Sequence, residues 1–286
     1  MEQVTVALTH GIHLDGGQLI EKASLRQIDG SDGQFLEDIL RDRAPIYHIS
    51  ISLLERLASF ENVQDTKRKR QLLRNMSIGD RVALMLHTRS MTLGDTMQCI
   101  ICCDLCKKNM SIDLSVNTLL LQASLLSKKY KDEVYCLDVE GYAVKIMPLT
   151  GLDQDMLAAK STSLEKENLE QSLAKSCIKQ SIPPLPDVIP ENMLYAVESK
   201  LSEIDPLSDI VLEVHCPSCG HAFSAPFWPE EFILQDVGIF NQQLEQEVHW
   251  LAFHYHWSEK EILALPIKKR RRYIELINAT LAGENI

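Results

Sequence analysis

The sequence predicts an α+β fold in which two related strand–helix halves are followed by a helical C-terminal segment. Three observations carry this. Two stretches, Gly16 to Leu40 and Glu140 to Lys160, each pass from a short alternating apolar run through Gly-x-Asp-x-x-hydrophobic into a helical pattern. Two strand-like runs, Thr96 to Cys106 and Asp209 to Cys219, each end in Cys-x-x-Cys. Beyond Trp228, apolar residues recur mostly at three- and four-residue steps. The expected division is 1–115 and 116–227 for the halves and 228–286 for the helical segment.

In the repeated unit the alternation suits a strand with one buried face. Gly30 and Gly151 supply the turn, and Asp32 and Asp153 are placed to cap the helices that carry Phe35 and Met156. A second helical spacing follows in each half, through Ile51, Leu53, Leu54 and Leu57, and through Leu169, Leu173 and Ile178. Gly30 and Gly151 are about as far apart as Cys103 and Cys216, which favours an internal duplication over two unrelated strand–turn–helix units. The proline-rich stretch Lys179 to Glu191 cannot be continuous helix and is expected to be a loop.

The C-terminal segment opens with a long helical stripe, Phe232, Leu234, Val237, Phe240, Leu244, Val248, Leu251 and Tyr255. Ser258 and Glu261 form a capping box for a short helix. Pro266 breaks it and opens a last helix, Ile267 to Leu281.

Composition bounds the function. The 286 residues are 45% hydrophobic and 24% charged, as in soluble globular proteins. A net charge of -11 and a pI near 5.3 disfavour phosphate backbones as partners. No apolar run is long enough to span a bilayer, and the start shows no basic-then-apolar leader, so folding in the cytosol is expected. Eight cysteines in a reducing compartment must be buried thiols or metal ligands.

Their spacing points to metal. Two residues between cysteines let both thiolates of one turn face the same ion, and two such turns supply a tetrahedron. Cys216-Pro217-Ser218-Cys219-Gly220 has the proline and glycine of a zinc-ribbon knuckle. Cys103-Asp104-Leu105-Cys106 has the spacing and the flanking strands but neither of those residues. Cys103, Cys106, Cys216 and Cys219 are therefore the expected ligands of one structural Zn2+, a ribbon joining the two halves. Cys102 is an alternative to Cys103. Metal-free thiols and a redox Cys-x-x-Cys are the competing readings, and the second is weakened because neither motif opens a helix. Cys136 and Cys177 are expected to be small buried residues.

Other features are open to two readings. Trp250, Phe253, Tyr255 and Trp257 could anchor a partner or pack on the protein's own body. His249, His254 and His256 lack the spacing of a metal site, and an aromatic helix end is their simpler reading. The runs Lys67 to Arg70 and Lys268, Lys269, Arg270, Arg271 and Arg272 could steer an acidic partner or be solvated helix faces. No P-loop, nucleophile elbow, dinucleotide fingerprint or His-Glu-x-x-His is present, and a metal held by four thiolates has no open position for water. An enzyme is not expected.

The Gly-x-Asp segments, the stretch from Ser77 to Asp95, both knuckles and the tail from Leu251 to Ile277 resemble the T4-type phage baseplate protein family of contractile phages and phage-tail-like injection systems. The resemblance implies a non-enzymatic role in building the baseplate hub or spike in the bacterial cytoplasm, with possible retention in the particle. Its partners would then be hub or spike proteins. A zinc-ribbon nucleic-acid adaptor is the rival reading.

Overall fold

A hairpin, two helices and a short returning strand occur twice in the chain, in the same order. A computed structural model describes all residues except 1–2, 14–18, 128–133, 162–165, 242 and 284–286, and the side chains of 127, 160–161, 166–168 and 239–241. Gly16 to Gln18 of the first expected strand and the side chains of Lys160 and Phe240 thus lie outside what is described.

The first unit is β1 (Gln3–His13), β2 (Leu19–Arg26), α1 (Gly30–Arg41), α2 (Ile46–Leu57) and β3 (Ala58–Ser59), with sheet order β1-β2-β3. Helices α3 (Thr66–Asn75) and α4 (Ile78–Leu93) follow, then the hairpin β4 (Thr96–Cys102) and β5 (Asn109–Ser115), then α5 (Val116–Ser127). The second unit is β6 (Tyr135–Val139), β7 (Tyr142–Ile146), α6 (Gly151–Ser161), α7 (Lys166–Cys177) and β8 (Ile178–Ile182), with order β6-β7-β8. After it come α8 (Glu191–Ile204), the hairpin β9 (Ile210–His215) and β10 (Ala222–Phe227), and α9 (Pro229–Asn241). The chain continues with α10 (Leu244–Tyr255), α11 (Glu259–Leu263) and α12 (Ile267–Leu281). Mixed helix and strand with a helical C-terminal region is what the sequence predicts.

Two details differ. The long stripe beyond Trp228 is two helices, α9 and α10, and α9 packs on α1, α2 and α4. Ile233, Leu234 and Val237 lie in the same buried cluster as Leu36, Leu53, Leu54 and Leu84. The stretch after Cys177 begins as strand β8, and only the residues after Ile182 are irregular before α8.

Both Gly-x-Asp turns open helices as expected. Asp29 and Asp32 form a reciprocal capping box on α1, and Arg26 and Arg56 bind the Asp32 carboxylate. At α6, Asp153 accepts from the Thr150 backbone N–H and hydroxyl. The glycines serve close approach. A Cβ on Gly30 would lie 3.0 Å from an Arg270 guanidinium nitrogen, and one on Gly151 would lie 3.2 Å from that of Arg81. Each turn thus seats a fully buried arginine from the opposite part of the chain, four residues after a β-bridge (Asp29 with Pro266, Thr150 with Ser77). Arg81 pairs with Glu230 at 2.8 Å, and Arg270 pairs with Glu247. Burying such charges is tolerable only because each is paired and hydrogen-bonded.

The units meet at a polar joint. Asp80 accepts from the backbone N–H groups of Thr9 (2.6 Å) and His10 (3.0 Å). Asp205, the C-cap of α8, accepts from Gly79 N–H at 3.0 Å and lies 3.5 Å from the His10 ring. Tyr47, His48 and Arg74 converge on Asp155 of α6.

Candidate metal centre

Each knuckle is built by its hairpin. In the first, Cys103 N–H donates to Lys108 C=O and Lys107 N–H donates back to Cys103 C=O, both at 3.0 Å. In the second, Cys216 N–H donates to His221 C=O and Gly220 N–H to Cys216 C=O, both at 2.8 Å. The turns are the same, and each needs a left-handed residue just after its second cysteine. Gly220 adopts φ +73° at little cost. Lys107 adopts φ +59° although it carries a Cβ. The first knuckle therefore reaches the ribbon geometry without glycine, by carrying backbone strain.

The two turns face one another. Cys103 Sγ lies 3.8 Å from Cys219 Sγ, and Cys106 Sγ lies 3.6 Å from Cys216 Sγ. All four sulfurs fall within 4.8 Å of one another. A disulfide would require about 2.05 Å. A tetrahedral thiolate site with metal–sulfur bonds of about 2.3 Å has sulfur–sulfur edges of about 3.8 Å. The spacing fits one metal ion held by these four residues. Met110, Val214 and Ala225 form a small core beneath the cysteines, flanked by Leu212 and Phe223. His221 reaches across to Asp104 of the other knuckle, Nε2 to Oδ1 3.1 Å.

The thiols are poised unequally. Burial opposes ionisation of Cys216, but the N–H groups of Ser218 and Cys219 and the neighbouring thiols hold it down near about 6. Cys219, although the His221 backbone N–H lowers it, is pushed up to about 12 by burial and the adjacent sulfurs.

Cys102 is exposed on β4, and it is Cys103 that enters the cluster. Cys99 and Cys177 are buried, with burial pushing them up to about 11 and about 12. Cys136 is exposed on β6, contrary to the expectation of a buried residue, because strand alternation turns it away from the side on which Tyr135 is buried.

The C-terminal residues divide. Phe253 is 66% exposed. Tyr255 stacks on Trp257, both contact Tyr273, and the Trp250 indole N–H donates to Asn278 at 3.4 Å. These three aromatics pack on the protein's own α12. Of the basic run, Lys268, Lys269 and Arg272 are exposed, Arg271 is half-buried, and Arg270 is fully buried against Glu247 and presents no charge to a partner. Its burial left no mark in the sequence, since a charged side chain inside a basic run reads as solvated.

The chain is of mixed helix and strand, with a recurring strand–helix unit and a four-thiol cluster between hairpins β4–β5 and β9–β10. The family described as T4 bacteriophage base plate protein matches residues 48–232, a span containing both knuckles. The chain belongs to this T4 bacteriophage base plate family. No curated protein and no solved structure matches it significantly.

Proposed function

We propose that the protein is a non-enzymatic structural or assembly subunit of the baseplate hub or spike of a contractile tail or tail-like injection system, in which a structural zinc ion joins the two halves. The observation that carries the reading is the family match across both knuckles, together with four sulfurs at tetrahedral spacing. Zinc is the metal commonly held in structural sites by four thiolates from two Cys-x-x-Cys turns. With four protein ligands its role is to hold β4–β5 and β9–β10 together, with no position left for substrate. Domain limits at 115/116 and 227/228, assembly in the bacterial cytoplasm and retention in the particle belong to the same proposal. No described helix is long and apolar enough to cross a membrane.

Partner recognition is assigned to the exposed face of the C-terminal segment, with Phe253, Lys268, Lys269 and Arg272 as its accessible residues. The nucleic-acid alternative loses support because Arg270 is buried and Arg271 and Arg272 face Glu247 and Glu275. Truncation before Ser258 is a poor test, since it removes Ile267 and Arg270 from the interior. The better test is co-purification of full-length protein with co-expressed hub and spike proteins. Wild type is expected to retain them, and Phe253→Ala combined with Lys268→Ala and Lys269→Ala is expected to release them. Undiminished retention by this folded variant would place the contact elsewhere.

A further inference from the structure

The duplication exposes a groove that is filled in one half and open in the other. In the first half, α9 lies on α1, α2 and α4, and Ile28, Leu53, Leu84 and Ile267, each at most 2% exposed, lie in the same buried cluster as Ile233, Leu234 and Val237 of α9. The counterparts of these residues follow from the shared landmarks. Leu149 stands two residues before Gly151 as Ile28 does before Gly30, and Leu173 stands before β8 as Leu53 does before β3. Val197 precedes Cys216 by the same distance as Leu84 precedes Cys103, and Ile78 precedes Arg81 as Ile267 precedes Arg270. These four residues line an open groove of about 360 Å3 between α7 and α8, together with Leu194 and Leu201. Val197 stays buried, but Ile78, Leu149 and Leu173 are only partly covered among the described residues, whereas their counterparts in the first half are interior.

The chain also carries a second copy of the helix that fills the seat. Helices α5 and α9 begin at the same distance beyond their knuckles, Cys106 to Val116 and Cys219 to Pro229. Leu119-Leu120-Leu121-Gln122 matches Phe232-Ile233-Leu234-Gln235. Leu234 is 2% exposed, but its counterpart Leu121 is 61% exposed, with Leu125 at 56% one turn further along. In its own chain α5 is held by α4, α8 and β5, which leaves this leucine stripe facing outward. α5 packs beside α8, which forms one wall of the groove.

We propose that this face pairs with a second copy of the chain, α5 of each copy lying in the α7–α8 groove of the other. A groove and a helix that match one another on one surface give a self-complementary, closed two-fold contact. The first half supplies the pattern, since there a helix of the same sequence type fills the same seat. Tyr195, the residue after the groove-lining Leu194 on α8, is exposed and offers an aromatic anchor. The inference rests on the duplication and is independent of the metal and of the baseplate role.

The test is sedimentation equilibrium of the full-length chain at micromolar concentration. A dimer is expected. Leu121→Glu on α5 and Leu201→Glu in the groove are each expected to raise its dissociation constant by about a hundredfold or more, because each buries a carboxylate in an apolar contact twice per dimer. Leu281→Glu, on an exposed side chain of α12, is expected to leave the dimer intact. If Leu201→Glu impairs folding, Leu121→Glu decides, since that side chain is already more than half in water. A monomeric wild type, a dimer indifferent to Leu121→Glu, or displacement of the second copy by another baseplate protein would overturn the proposal.

Discussion

Replacing Gly79 with alanine sets two effects of opposite sign against each other, and the structure decides between them. Gly79 lies in the first turn of α4, where alanine is the better helix former by about 1 kcal/mol. A Cβ there would lie 1.8 Å from Asp205 Oδ1 and 2.7 Å from its Cγ. Asp205 is buried and cannot swing freely, because its other oxygen accepts from Gly79 N–H at 3.0 Å. Displacing it costs about 1–3 kcal/mol of overpacking. Losing a hydrogen bond to a carboxylate costs about 1.5–3 kcal/mol more. After subtracting the propensity gain, Gly79→Ala should destabilise by about 1.5–5 kcal/mol. Urea unfolding followed by tryptophan fluorescence should show a lower midpoint at an unchanged slope. In an Asp205→Ala background the same substitution should be neutral or stabilising, a coupling that a double-mutant cycle reads directly. Stabilisation by Gly79→Ala in the wild-type background would refute the close approach.

Stability should fall as pH rises. Burial pushes Asp80 up to about 6, and His10, although burial lowers it, is held above its usual value by the hydrogen bond and charge of Asp205 and the charge of Asp80. Both folded-state values exceed the unfolded ones, so the folded chain holds more protons. The Asp80 share, about 3 kcal/mol, is lost between about pH 4 and 6, and the His10 share above about 6.5. Melting curves of Asp80→Asn beside wild type separate this from thiolate protonation, and a wild type that gains stability relative to the variant with rising pH contradicts it. Lys107→Gly should stabilise by about 0.5–1 kcal/mol, since the relief of a left-handed residue outweighs glycine's greater freedom in the unfolded chain, whereas Gly220→Ala should lose about 1 kcal/mol. Equal shifts in both melts would deny that the knuckles share one turn. Arg270→Ala should cost about 3–5 kcal/mol by stranding Glu247, and Lys268→Ala about 0.5 kcal/mol or less. Calorimetry giving the two similar costs would return Arg270 to the surface.

Much of the architecture was legible because it is written in turn residues. Gly30, Asp32, Gly151 and Asp153 mark helix starts, and the Cys-x-x-Cys pairs mark hairpin ends, so the duplication and the cluster follow from local chemistry. The capping box at Ser258 and the helix from Ile267 to Leu281 follow in the same way. Helix α4 was not legible as the central buried helix. Its interior holds Gly79, Asp80, Arg81 and Arg89, whose carboxylate or backbone partners lie far along the chain, so no apolar stripe announces it. The same holds for Arg270, which its neighbours disguise as one more surface cation. Periodicity reports burial only where burial is apolar. Paired charges at long range escape it.

One metal ion is expected to tie hairpin β4–β5 to hairpin β9–β10. Elemental analysis of the purified, folded full-length chain tests it most directly. One tightly held zinc per chain is the expected result, with loss of zinc in Cys216→Ser or Cys103→Ser and full retention in Cys102→Ser and Cys136→Ser. Well-folded protein containing no metal, or a zinc content unaffected by removal of Cys216, would contradict the account.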